Sequence, residues 1–372
     1  MIKRLLLLTL LIPLLTVLCG CGYPPTERQT FPICMTVDIT KEGKTQVGIQ
    51  APENTQSGDG GQSYAILAAT GDTLQDALYI LEASTPYPLN FCQLRLLMIS
   101  YELASTTEMR GFLRQLAELP TMRPNAFVMV ALGSALEVMN AQKPDFGMRL
   151  STHLNLLFER LRDEDMLPDS TLASCVRELG EKRSDPIICI CAVNPQLLPE
   201  DQKKSGEGQQ GGGGSESGGG GSGGSGGEAA AFALGEPWNN KLLPDQLIAG
   251  MLPHSSSNPV EYLGAAVISD DRISGLLTAR EAQVVLRAKD ESTLRVAAEG
   301  DSMQLQVWIK KGTPLHKESG VLLNVMKKLQ ALDSDALGFG GASAASFYED
   351  AAWEAFDFHG KYSGADMVIC VE

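Results

Sequence analysis

The sequence predicts an α+β protein of more than one domain, with mixed sheets and packed helices in both halves. Apolar runs with strand character alternate with helical stripes. Hairpin signals occur in each half, and they favour α+β over a single doubly wound sheet. A segment that is almost entirely Gly and Ser, residues 205–228, divides the chain and cannot bury a core. With 372 residues and 44% hydrophobic content, the chain is long enough to form more than one core.

The strands predicted before the Gly/Ser segment are short apolar runs bounded by turn residues. Residues 41–44 are turn formers between the first two runs, which predicts a hairpin. Strands are predicted at 31–40, 46–51, 64–69, 94–100, 126–132 and Ile187–Val193.

Helices are predicted between these strands wherever apolar residues recur at helical spacing. The stripes lie at residues 74–81, at 109–116, from Ser134 onward and at 172–179. Thr106 or Thr107 is placed to cap the helix that contains Met109.

The second half repeats the mixture of hairpins and helices. Strands at 262–268 and 272–277 flank turn residues, and Thr278 with Glu281 forms a capping box that opens a helix. Strands at 294–299 and 303–309 are predicted to pair, followed by a helix at 322–329 and a strand at 367–371. A short helix within 242–252 is predicted to dock on one half.

The amino terminus predicts a lipoprotein signal peptide over residues 1–20. Lys3 and Arg4 precede an apolar stretch at 5–17, and the small residue Gly20 stands directly before Cys21. The stretch is short for a spanning helix, which needs about 20 apolar residues. We therefore expect cleavage after Gly20 and a diacylglyceryl anchor on Cys21. An ordinary secretory signal or a short membrane helix is the alternative.

Three units follow the signal peptide in this prediction. Residues 21–198 form an N-terminal α+β domain, residues 199–258 a tether with an irregular segment, and residues 259–372 a shorter C-terminal α+β domain.

Charge restricts the partners. The net charge is −15, and loss of Lys3 and Arg4 with the signal makes the remaining chain still more acidic. Nucleic acid and anionic lipid headgroups are therefore poor partners, so membrane contact would depend on the acyl anchor and on neighbouring proteins.

Eight cysteines are present, two of them in the signal region, and the remaining spacing fits no metal site. Cys189 and Cys191 share one face of a strand. We predict buried free thiols at Cys34, Cys92, Cys175, Cys189, Cys191 and Cys370, with disulfide pairing as the alternative.

No catalytic or cofactor-binding constellation is visible in the sequence, so an enzyme is not predicted. The histidines are scattered, at His153, His254, His316 and His359, and no metal or cofactor is expected. The G-x-S-x-G match at 220–224 lies in the Gly/Ser segment, without the strand and helix that a nucleophile elbow needs. Residues 338–341 are interpreted as a helix stop and loop, and residues 163–165 as a solvated helix end. Trp353 and Phe356 are interpreted as core residues.

Several segments, taken in order, resemble the Ger(x)C lipoproteins, the C subunits of spore germinant receptors. The resemblance covers most of the chain after Cys21. It is carried by the lipobox at Cys21, Gly71-Asp72-Thr73 with Ala77 and Leu78, 94–104 (LRLLMISYELA), 111–119, 126–136, 265–268 (AAVI), 271–277 (DRISGLL), Glu281, 336–340 (ALGFG), and Trp353 with Phe356.

The resemblance implies a lipid-anchored, non-catalytic C subunit that takes part in spore germination on the extracytoplasmic face of the inner spore membrane. Its implied partners are the membrane-embedded A and B subunits of a nutrient germinant receptor. An extracytoplasmic solute-binding lipoprotein of a transporter is the alternative, although a Gly/Ser tether fits poorly with the stiff hinge of such proteins. A cell-surface hydrolase is disfavoured because no catalytic set is visible.

Overall fold

The computed structural model describes residues 25–53, 63–144, 148–181, 183–198, 247–299, 302–347 and 349–372. They form an eight-stranded mixed sheet, in the order β3-β2-β1-β4-β5-β6-β7-β8, and a three-stranded sheet, in the order β11-β10-β9. Helices pack on both sheets, so the predicted α+β class is confirmed.

The strands are β1 Cys34–Ile39, β2 Thr45–Pro52, β3 Tyr64–Gly71, β4 Leu96–Ser100, β5 Phe127–Ala131, β6 Ile187–Val193, β7 Val260–Ser269, β8 Arg272–Leu277, β9 Ser292–Glu299, β10 Ser302–Ile309 and β11 Asp366–Val371. The helices are α1 Leu74–Ala83, α2 Tyr101–Thr106, α3 Met109–Ala117, α4 Ala135–Ala141, α5 Leu150–Asp163, α6 Leu172–Glu181, α7 Ala279–Glu291, α8 Pro314–Lys317, α9 Ser319–Ala331, α10 Phe339–Ala344, α11 Asp350–Phe356 and α12 Phe358–Tyr362. Short 3-10 turns lie at Thr26–Arg28, Phe91–Gln93 and Pro195–Leu197.

The large sheet has a parallel centre. β1, β4, β5 and β6 run parallel to one another, while β2 and β3 extend one side as antiparallel hairpin strands. Both faces are covered: α1, α3 and α6 contribute to the core on one face, and α4 and α5 to the core on the other. Strands buried on both faces are continuous apolar runs, as in Ile187–Val193.

The second half of the chain completes the same sheet. β7 pairs antiparallel with β6, and β8 pairs antiparallel with β7. The predicted tether and irregular segment, 199–258, therefore connect two neighbouring strands. The domain boundaries at 21–198 and 259–372 stay predictions.

The three-stranded sheet has a core of its own. The predicted pair at 294–299 and 303–309 forms the antiparallel hairpin of β9 and β10, and β11 adds in parallel. α7, α9 and α12 supply buried side chains to this core, together with β7. Trp353 and Phe356 are half-buried, stack on each other and pack against it, which confirms their interpretation as core contacts.

Two ion pairs join the two halves. Arg287 of α7 contacts Asp165 at 3.4 Å, and Arg110 of α3 contacts Asp271 at 3.0 Å. Within the second half, Arg287 also contacts Glu318 at 3.2 Å. Residues 163–165 were predicted to be a solvated helix end. Helix α5 does end at Asp163, but Asp165 is half-buried and pairs with Arg287.

The segment after the predicted tether docks without a helix. Residues 242–246 and Trp238 lie outside the described residues, and 247–258 contain no helix. Instead, the buried Glu261 carboxylate accepts backbone N–H bonds from Gly250 (2.7 Å) and Leu252 (3.2 Å). Asn194 and His254 also contact that carboxylate, so one buried acid fixes the path of the segment. The helix prediction is wrong for residues 247–252.

Two further local predictions are wrong. Thr106 ends α2, where its hydroxyl donates to the Glu102 carbonyl, and α3 has Glu108 at its N-cap without a side-chain bond. Cys92 is exposed because it lies in the 3-10 turn Phe91–Gln93, and Cys370 is half-buried. All six described cysteines are free thiols, and the other four are buried.

Candidate functional site

The predicted lipidation residue Cys21, and Gly20 before it, lie outside the described residues. The chain that leads away from them is fixed to the first domain. Thr30 forms a parallel bridge with Leu89, with Thr30 N–H donating to the Pro88 carbonyl (3.0 Å) and Asn90 N–H donating to the Thr30 carbonyl (2.8 Å). A membrane anchor at Cys21 would therefore hold this end of the domain close to the bilayer.

A cavity of about 570 Å³ lies at the same end. It is lined by Pro25, Thr26, Gln29, Phe31, Asn90, Cys92 and Gln93. Nearby, the loop residue Tyr87 is 44% exposed, and α1 exposes Tyr79 (75%) and Ile80 (44%). Within the part of the chain that the structure describes, every helix is too short or too polar to span a bilayer.

The carboxyl ends of the parallel strands, where open α/β sheets usually bind ligands, are closed by the chain itself. Asp38 near the end of β1 accepts backbone N–H bonds from Ala135 (2.7 Å) and Leu136 (3.0 Å), at the start of α4. Burial raises the pKa of the Asp38 carboxyl, and these two donors oppose that rise. An internal carboxylate thus occupies the position that an anionic ligand would take at a helix N-terminus.

In the Gly-rich segment 338–341, an internal carboxylate likewise takes the backbone N–H groups that an anion would bind. It opens α10 instead of forming only the predicted helix stop and loop, with Gly338 in the left-handed region (φ 94°). The fully buried Asp335 carboxylate accepts N–H bonds from Gly338 (3.1 Å), Phe339 (2.9 Å) and Gly340 (2.6 Å). These three N–H donors are therefore not available to a phosphate.

The amino ends of β4 and β5 carry a different set of side chains, which we call the arginine pocket. It is a cavity of about 360 Å³. Its lining residues are Arg95, Arg123, Asn125, Phe127, Asn155, Glu159, Arg162, Asp169 and Thr171. Sequence reasoning missed this site, since its arginines are far apart in the chain and no motif joins them.

Rigid backbone positions the walls of the arginine pocket. Arg95 N–H donates to the Ile33 carbonyl (2.8 Å), and the Arg95 carbonyl accepts from Phe127 N–H (2.9 Å). Phe127 also bridges Thr171. The residues contributed by α5 lie at i, i+4 and i+7, on one face of that helix.

The four histidines do not form a common site. His153 is buried on α5, His254 pairs with Glu261 at 2.8 Å, and His316 Nδ1 accepts from Gly312 N–H at 3.3 Å. The ring of His359 contacts Phe358 edge-on. Among the described residues, no group of three or more His, Cys, Asp or Glu side chains could hold a metal ion.

Comparison with known proteins identifies one domain. Residues 23–193 match the family model described as the spore germination protein N-terminal domain. A crystal structure of the GerBC protein aligns with a TM-score of 0.44 and 11% identity, over 91% of this chain and 95% of that chain. No curated protein matches the chain.

Proposed function

We propose that this chain is a spore germination protein of the Ger(x)C family and the lipid-anchored C subunit of a nutrient germinant receptor, because residues 23–193 match the spore germination protein N-terminal domain. In this proposal the subunit is non-catalytic and lies on the extracytoplasmic face of the inner spore membrane. It acts by association with the membrane-embedded A and B subunits. The match of that domain is the observation that carries the proposal.

The position of the domain relative to Cys21 supports the anchor. The match begins at residue 23, directly after the predicted lipidation site. Only the residues between Cys21 and Pro25 separate the anchor from the described fold, a reach of about 14 Å when fully extended. Because Thr30 is bonded to the loop at 88–90, the anchor would also restrict how the domain can rotate.

Charge supports the dependence on the anchor. A chain with a net charge of −15 is repelled by an anionic bilayer surface. Two acyl chains overcome that repulsion, whereas a single chain binds only marginally. Confinement next to the bilayer then raises the effective concentration of the domain beside integral partners, without requiring a strong interface of its own.

Replacement of Cys21 tests the anchor, with Cys19 as the matched control. In fractionated spores, C21A is expected in the soluble fraction, whereas C19A stays with the membrane, because bulky Leu18 before Cys19 makes it a poor acceptor. Mass spectrometry of the wild-type amino terminus is expected to find acylated Cys21. The proposed anchor is wrong if C21A remains fully membrane-bound.

The receptor context is tested by co-purification from spore membranes. We expect the wild-type chain to recover both integral subunits, and C21A to recover much less of them. An intact membrane anchor with neither integral protein recovered would contradict the proposed partnership and leave the anchor standing.

A further inference from the structure

Three arginines line the arginine pocket, and none of them forms a direct ion pair with a described residue. Arg95, Arg123 and Arg162 line it, and none of them forms an ion pair or a side-chain hydrogen bond with any described residue. In a chain with 45 acidic and 30 basic side chains, an unpaired cluster of arginines is unexpected. Elsewhere in the described fold, arginines such as Arg287 and Arg110 contact carboxylates.

The inner part of the pocket lacks a hydrogen-bond acceptor. Arg95 Nε is buried and has no hydrogen-bond partner. A buried donor without a partner is destabilising, so such groups in folded proteins are normally satisfied by protein, water or ligand. Burial and the neighbouring Arg123 lower the pKa of Arg95, whereas Glu159 acts in the opposite direction. Two like charges therefore repel each other in the wall of one cavity, and a bound negative group would offset that repulsion.

The arrangement of the lining suits a small anion. Arg95, Arg123, Asn155 and Thr171 are half-buried. The two guanidinium groups and the Asn155 amide carry hydrogen-bond donors, whereas the Thr171 hydroxyl already donates to Ser174 Oγ (2.9 Å). Glu159, Arg162, Asp169 and Asn125 are exposed at its mouth. With three guanidinium groups against two carboxylates, the lining carries a net positive charge. A cavity of about 360 Å³ admits a compact solute and excludes a folded partner.

We propose that the arginine pocket is a binding site for a small oxyanion, a carboxylate or a phosphate group, held by the guanidinium groups of Arg95 and Arg123. Arginine binds both groups through paired N–H donors, which a lone lysine ammonium cannot provide. The Asn155 amide adds a further donor to the anion, and Arg162 adds positive charge at the mouth. This proposal does not depend on the lipid anchor or on the receptor partners.

Titration calorimetry of the full-length protein in detergent tests the site, with sodium phosphate and sodium acetate as probes in chloride buffers of matched ionic strength. We expect saturable one-to-one binding of at least one probe. Binding of phosphate alone assigns a phosphate group, binding of acetate alone assigns a carboxylate, and binding of both assigns a general oxyanion site.

The matched variants are R123Q in the pocket and R114Q on the exposed face of α3. They make the same change of charge, but Arg114 is 73% exposed and pairs with Glu118. R123Q is expected to weaken binding about ten-fold, the effect of losing one charge-assisted contact, and R114Q to leave it unchanged. R123K, which keeps the charge and loses the paired donors, is expected to fall between R123Q and the wild type. Thermal unfolding without the probe verifies that each variant is folded.

Two results would overturn the proposal. If neither probe binds saturably to the wild-type protein, water alone satisfies Arg95 Nε. If R114Q weakens binding as much as R123Q does, the interaction is a nonspecific effect of net charge and the pocket is not a site.

Discussion

The two ends of the parallel strands in the large sheet differ in how their charges are satisfied. At the carboxyl end, the Asp38 carboxylate is bonded to the first N–H groups of α4. At the amino end, Arg95 and Arg123 face a cavity without an ion pair to any described residue. In α/β sheets the carboxyl end is the usual place for a ligand. Here the groups left without partners point to the opposite end.

The comparison shows that an internal residue can occupy a site that the fold makes available. Asp335 repeats the pattern of Asp38, since its carboxylate takes the N–H donors at the start of α10. Both acids convert a potential anion site into a structural contact. Polar groups without partners therefore indicate a binding site better than the position of a residue in the fold does.

Removal of the Asp38 carboxylate, which occupies the carboxyl end of the parallel strands, is expected to destabilise the protein most. D38A takes away two hydrogen bonds to a charged acceptor and leaves a buried N–H at Ala135 without a partner. We expect a loss of about 3 kcal/mol of unfolding free energy, measured by urea denaturation. D38N, which keeps one acceptor oxygen, is expected to lose less.

D72N provides the control, because Asp72 is exposed and forms only a surface ion pair with Lys44. A change of less than about 0.5 kcal/mol in D38A, within the range of ordinary surface substitutions, would mean that Asp38 does not hold α4 to the sheet.

Local sequence signals predicted the elements around this comparison well. The hairpin of β1 and β2, the strand Ile187–Val193 and the capping box at Thr278 follow from residues adjacent in the chain. Of helix α5 only the end, at residues 163–165, was predicted. Its start was missed, and its N-cap residue Arg149 makes no side-chain cap bond that would have marked it. Its apolar residues were the remaining signal.

The arginine pocket could not be predicted from local pattern. Arg95 precedes β4, Arg123 precedes β5 and Arg162 lies on α5, so only the parallel pairing of β4 with β5 and the packing of α5 bring them together. The role of Asp38 could not be predicted either, because its partners at the start of α4 lie far along the chain. Contacts of this kind are set by topology, which a single sequence does not specify.

The stability of the fold is also expected to depend on pH, through the buried Asp335 carboxyl. Burial raises the pKa of Asp335 to about 7, and burial also raises that of the adjacent Asp185. The unfolded chain releases this proton near pH 4, so the folded state holds more protons between about pH 4 and pH 7. Stability must therefore fall as the pH rises through that interval.

We expect the free energy of unfolding to increase by about 2 kcal/mol when the pH is lowered from about 7.5 to about 5.5, and this gain to be largely lost in D335N. D333N is the control, since Asp333 is exposed and Asn tolerates its left-handed backbone (φ 51°). An equal pH dependence in D335N and the wild type would place the responsible group elsewhere. The measurement is urea denaturation at a series of pH values.

The smallest change in unfolding free energy is expected at the amino end of the parallel strands, where a substitution should stabilise the protein. Because Arg95 and Arg123 repel each other and no described acid pairs with either, removal of one charge relieves repulsion when no anion is present. R123Q is expected to raise the unfolding free energy by about 0.5 kcal/mol in low-salt chloride buffer, and added salt should reduce the gain because salt screens exposed charges. R114Q loses the ion pair with Glu118 and is expected to be neutral or slightly destabilised. If R123Q is instead destabilised as D38A is, Arg123 makes a structural contact, and the two ends of the sheet would be closed in the same manner.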